Sequence, residues 1–180
     1  MAEVTITEAL AELNTIAKRV AKKREFCKTY LLRPDQLKDP LAKDGGSPLL
    51  IQKEMQAIAD LENRHISIRL AIQKANQETE VTVEKITKPL AEWLTWRKEI
   101  APAQQRHLAD LKMSIDTIRK QSLTRGAQVV QPGAENTKPT DIVVNVDEAK
   151  IASDAEFLET VLGGLDGQLS LKNATVVIEI

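Results

Sequence analysis

Between residues 5 and 33 an apolar side chain returns at alternating steps of four and three. The positions are Ile6, Leu10, Leu13, Ala17, Val20, Cys27 and Leu31, with Arg24 as the one interruption. At about 100° per residue, that spacing draws a single narrow stripe along one side of a helix. A narrow stripe is covered by another helix along a seam, as in coiled-coil contacts. Thr5 is a suitable N-cap, with Glu8 three residues on to complete a capping box. Pro34 ends the run, because proline pushes the residue before it away from helical geometry.

Pro34, Pro40, Gly45, Gly46 and Pro48 then make a loop. Ser47-Pro48 reads as N-cap and first helical residue. The helix that follows extends to about residue 77, with Ile51, Met55, Ile58, Leu61, His65, Ile68, Ile72 and Ala75 as its stripe. Two long helices joined by so short a loop fold back as an antiparallel hairpin. In residues 78–86, Val81 and Val83 alternate with polar neighbours, which favours a short extended segment. A third helix runs from about 87–90 to 121 with Leu90, Leu94, Ala101, Leu108, Leu111, Ile115 and Ile118 on one frame. Pro102 falls inside it and predicts a kink or break.

Composition changes along the chain. Residues 126–180 hold three lysines and nine acids, whereas the net charge of the whole is −1, so residues 1–125 carry an excess of five cations. Gly126, Pro132, Gly133 and Pro139 mark a linker at 126–140. Beyond it, Asp141–Val146 reads as a strand by its β-branched content. A capping box at Ser153–Glu156 opens a helix stopped at Gly163-Gly164, and Ala174–Ile180 reads as a final strand. The expected fold is mainly α: an elongated three-helix antiparallel, coiled-coil-like bundle at 1–125, a linker, and a small strand–helix–strand docking region at 141–180. Aromatic residues make up only 3% of the chain, in keeping with seams between helices.

The candidate chemistry is sparse. One cysteine excludes an internal disulfide framework, two histidines leave little for a metal site, and the seven glycines form no phosphate-cradling motif. His65 lies on an apolar stripe, with no second ligand at i+3 or i+4, and reads as a core histidine. His107 sits beside Arg106 on a polar face. Cys27 occupies a seam position, where cysteine acts as a small hydrophobe. No order of residues suggests a nucleophilic enzyme; no cofactor and no metal are expected. Lys18, Arg19, Lys22, Lys23 and Arg24 could neutralise several phosphates, although on a helix they fan around a solvated face. Trp93 and Trp96 share a helix side and suit either a partner patch or internal packing. Ile142, Val144, Val146, Val176, Ile178 and Ile180 form apolar strands that must pair, with each other or with a neighbouring subunit.

Thr5-Ile6-Thr7-Glu8-Ala9-Leu10 opens the first helix, Asn76 lies near the end of the second, and Leu90 is followed by Arg97 in the third. On these residues the stretch from about 5 to 120 resembles the septicolysin-like family, small helical proteins of bacteria and phages. The resemblance implies a helical hairpin scaffold, names no catalytic residue, and makes a virion component a reasonable expectation. The segment after Arg125 has no counterpart in it. Narrow seams bury little surface per residue, so partners should cover what remains. The expected function is a non-enzymatic structural or assembly protein, part of an oligomer or a larger particle such as a phage virion. The alternative is a nucleic-acid-binding module using Lys18–Arg24. Partners would be copies of the chain or other structural proteins. No apolar run approaches the ~20 residues of a membrane span, and the polar, acidic start does not resemble a signal peptide. The expected setting is the cytoplasm, or a virion.

Overall fold

The computed structural model describes residues 3–135 and 137–180. The chain is mainly α and forms two compact units, residues 1–79 with 170–180 and residues 80–169. The segments 1–125, 126–140 and 141–180 distinguished by composition are therefore not themselves the compact units. The fourth expected helical stretch, placed at 153–163, is also a long one, because the C-terminal helix runs far past the glycines expected to stop it.

In the first unit, strand β1 (Glu3–Thr5) leads directly into α1 (Ile6–Thr29), and the expected capping box is present at Thr5 and Glu8. Glu8 accepts from the Thr5 backbone amide at 2.8 Å, and that bond together with the Thr5 hydroxyl holds its pKa below the ordinary glutamate value. Helix α1 buries Ile6, Ala9, Leu13, Ile16 and Val20 against Ile68 and Ile72 of α2 (Ser47–Glu78). The covered stripe thus includes Ala9 and Ile16 where the heptad frame placed Leu10 and Ala17. Both stripes share Ile6, Leu13 and Val20 and keep the same mean spacing; the contact with α2 covers the flank of Ala9 and Ile16 in place of that of Leu10 and Ala17. Leu31 lies beyond the end of α1 and is exposed.

The loop before α2 is organised by Asp39. Its carboxylate accepts from the Ser47 hydroxyl at 2.6 Å, the Ser47 amide at 2.7 Å and the Leu41 amide at 2.9 Å. These bonds, the Ser47 hydroxyl first, lower the Asp39 pKa. Ser47 is consequently the first residue of the helix and not its cap; its side chain turns back to the loop, and Gly46 occupies the N-cap. The unit is completed by β6 (Val177–Glu179), antiparallel to β1 with Val4 opposite Ile178. Of the pairings open from sequence, that of the C-terminal strand with 142–146 does not form. Ile178 fits the core made by α1 and α2, which 142–146 does not enter.

In the second unit, β2 (Glu80–Val83) and β3 (Ile86–Pro89) form a hairpin, so the extended reading of residues 78–86 holds. Its two turn residues, Glu84 and Lys85, have φ of 47° and 66°. That is the left-handed pair which two-residue hairpins require, here without a glycine. Helix α3 (Leu90–Thr95) continues through a wide π turn at Trp96–Ile100 into α4 (Ala101–Thr124). Pro102 explains the widening. Proline has no amide hydrogen and would clash with the carbonyl four residues back. Just before it, the Ala101 amide bonds to the Trp96 carbonyl, five residues back.

Strands β4 (Val129–Val130) and β5 (Ile142–Val143) pair in parallel. The expected strand at 141–146 is thus cut to two paired residues. Asp141 closes the loop between them: its carboxylate accepts from the Lys138 and Gln128 amides, and these bonds lower its pKa. The last helix, α5 (Glu148–Thr175), begins at Asp147, which caps the Ala149 and Lys150 amides. It does not start at Ser153, and it passes through Gly163, Gly164 and Gly167. Val161, Leu165 and Leu169, spaced by four, join Val81, Val83, Leu90 and Trp93 in the core of this unit. That burial outweighs the cost of about 1 kcal/mol per helical glycine. Gly164 also has a packing reason: a Cβ there would stand 3.0 Å from Val83 Cγ1.

Candidate interaction surfaces

Trp93 belongs to the core. It is 3% exposed, and its indole nitrogen donates to the Val81 carbonyl at 3.0 Å. Of the two readings open for the tryptophans, internal packing holds for Trp93, which is therefore not a partner-binding residue. Helix α3 turns Trp93 inward onto β2, and only Trp96, edge-on to it at 5.6 Å between ring centroids, reaches the surface. Trp96 lines a cavity of about 440 Å³ with Ile86, His107, Asp154 and Phe157. Leu108 and Leu158 line both this cavity and a larger groove of about 710 Å³ between α4 and α5.

The larger groove has an apolar floor, including Leu108, Ile115, Ile151, Ala155 and Leu158, and a charged rim. At one end Arg119 donates to both Glu148 oxygens at 2.8 Å, and the Gln131 side chain donates to the same carboxylate at 3.1 Å. The Glu148 carboxylate, by its hydrogen bond and its charge, raises the Arg119 pKa. Among the described residues, no group of three or more His, Cys, Asp or Glu side chains could hold a metal ion. His65 is half-buried and His107 is exposed. Cys27 is half-buried with its sulfur 4.0 Å from the Ile51 carbonyl, which fits its seam position. No helix among the described residues is long and apolar enough to cross a membrane.

The strand residues expected to bind partners have several fates. Ile178 and Val144 are buried, Val176 and Ile180 are half-buried and pack on the first unit's core, and Ile142 and Val146 are exposed. The basic run is partly committed. Lys23 pairs with Glu54 and Arg24 with Glu62, each at 2.6 Å, which leaves Lys18, Arg19 and Lys22 on the exposed side of α1.

The surface that sequence reading missed is the outer side of α2. Gln52, Met55, Ala59, Asn63, Ile66, Leu70, Gln73 and Gln77 fall within about 80° of one another on a helical projection, and all eight are exposed. None is charged. Met55, assigned from sequence to the buried stripe, belongs to this face, because it stands well outside the arc of Ile68 and Ile72. The available signal was the absence of Lys, Arg, Asp and Glu from every one of these positions.

No protein-family model and no curated protein matches the chain. Its fold is similar to the crystal structure of a functionally unknown conserved protein from Corynebacterium diphtheriae, with a TM-score of 0.58 at 13% identity, covering 99% of this chain and 100% of the other. At that identity the likeness concerns the fold alone.

Proposed function

We propose that this protein is a non-enzymatic assembly protein, a subunit of an oligomer or of a larger particle such as a phage virion, held by helix-face packing. The observation that carries the reading is the set of large apolar side chains left at the surface of its helices. Met55, Ile66 and Leu70 on α2, Met113 and Leu123 on α4, and Phe157 on α5 are each at least 50% exposed. Single exposed apolar residues are ordinary, whereas aligned ones mark contact surfaces. Strand addition is a second means of assembly. Among the described residues β1 and β6 form a two-stranded sheet, so its outer edges are available to a further strand.

The test is the molar mass by light scattering across a concentration series. A multiple of the 20.0 kDa chain mass is expected. A protein that keeps its helicity and stays at one chain mass at the highest concentration would overturn the reading. A nucleic-acid role would fall mainly on Lys18, Arg19 and Lys22, and predicts retention on DNA that falls steeply with added salt.

A further inference from the structure

We infer that α2 pairs with α2 of a second copy of this chain, antiparallel, about a two-fold axis near Arg64 and His65. The inference rests on the assembly reading above and specifies its surface, partner and geometry. Its first support is the symmetry of the uncharged face. Gln52 and Gln77, Ala59 and Leu70, and Asn63 and Ile66 are each equidistant from the midpoint between residues 64 and 65. Antiparallel pairing about that midpoint sets each of these six opposite its counterpart on the other copy, while Met55 meets the stem of Lys74 and Gln73 meets Gln56. Small Ala59 then meets large Leu70, and glutamine meets glutamine at both ends. The face spans residues 52–77, about 38 Å at 1.5 Å per residue.

Charge gives the second support. In an antiparallel helix pair the same flank of each helix faces its copy. On one flank of this face stand Glu62 and Arg69, seven positions apart; Arg69 is exposed, and Glu62 is half-buried and accepts from Arg24 through one oxygen, which leaves the other for a second cation. Two-fold pairing brings Glu62 near Arg69 of the second copy, and Arg69 near its Glu62. In a parallel pairing this flank faces the opposite flank of the copy, so Glu62 and Arg69 of the two copies do not meet. A closed two-fold contact of this kind uses the same patch on both chains. The face carries no charge that would repel its own copy.

The test uses the full chain with light scattering and thiol cross-linking. Ile66→Glu and Arg69→Glu each weaken the dimer at least tenfold while leaving the circular-dichroism spectrum unchanged, since both residues are exposed. A short bis-maleimide links copies of Asn63→Cys, which stands near the axis. It links the pair Gln52→Cys and Gln77→Cys when each is on a different copy, but leaves Gln52→Cys alone unlinked. Wild type, with Cys27 only, is the control. Linking of Gln52→Cys to itself indicates parallel packing and overturns the inference. A wild-type oligomer that Ile66→Glu and Arg69→Glu both leave intact also overturns it, yet spares the assembly reading. A wild-type monomer overturns both.

Discussion

Three glycines in one helix give a prediction whose sign changes with their surroundings. Gly163, Gly164 and Gly167 all lie in α5 with φ outside the left-handed region. Replacing a helical glycine by alanine gains about 1 kcal/mol in an exposed helix interior. A Cβ at Gly163 or Gly167 meets no side chain or distant backbone within 4 Å, so both substitutions should show that gain. At Gly164 the new Cβ would lie 3.0 Å from Val83 Cγ1. Val83 is 4% exposed and packed in the core with Trp93 and Leu165, so it has little room to yield. Overpacking of this kind costs about 1–3 kcal/mol, which makes Gly164→Ala neutral at best and destabilising by up to about 2 kcal/mol. A chain of this size shifts by about 2–4 °C per kcal/mol, so calorimetry separates the cases. Gly163→Ala and Gly167→Ala should each raise the transition, and Gly164→Ala should leave it unchanged or lower it. In a Val83→Ala background, Gly164→Ala should recover its gain, with a coupling of about 1–3 kcal/mol in the cycle. Equal stabilisation by all three alanines would refute the claim that the β2–β3 hairpin presses on this helix.

Lys85→Gly should stabilise by about 0.5–1 kcal/mol in urea unfolding, because the left-handed φ costs an ordinary residue about 1–2 kcal/mol and glycine gives part of that back as unfolded-state entropy; destabilisation would mean the turn is built otherwise. Trp93→Phe should cost about 2–3 kcal/mol through the lost bond to the Val81 carbonyl and the gap left by the smaller ring, and Trp96→Phe clearly less. Asp39→Asn should be less stable than wild type at pH 7. The native pKa is depressed, so the contribution of Asp39 is full above its unfolded value near 4 and fades as pH falls through the native one. Unfolding midpoints of the two proteins should therefore converge in acid; a constant difference down to pH 2 would exclude the carboxylate as the cause.

Local rules made much of this chain legible. Thr5 and Glu8 announced the first helix, Pro102 the irregularity between α3 and α4, and Val81 and Val83 the hairpin strand, because each depends on neighbours a few residues away. The errors came where distant packing decided. Gly163-Gly164 is a stop signal only for a helix with little to bury, and Val161, Leu165 and Leu169 have a hydrophobic core to enter. Trp93 was ambiguous because its acceptor, the Val81 carbonyl, lies twelve residues earlier in another element. The pairing of Val4 with Ile178 has no local signature at all. Of the proposed dimer face, only Met55 entered the sequence reading, and it entered on the wrong side. The apolar members alone are too few to register as a stripe, and the face is defined as much by glutamine, asparagine and alanine.

The β1–β6 pair also constrains how the molecule is made. Val4 leaves the ribosome well before its neighbour Ile178, with the whole of residues 80–169 between them. The amide of Ile6 likewise waits for the Val176 carbonyl. Throughout synthesis the nascent hairpin of α1 and α2 carries an unfinished edge, while residues 80–169 are contiguous and can close on themselves as they emerge. A chain cut between residues 170 and 176 would have the unit 80–169 complete and the other unit without its strand β6.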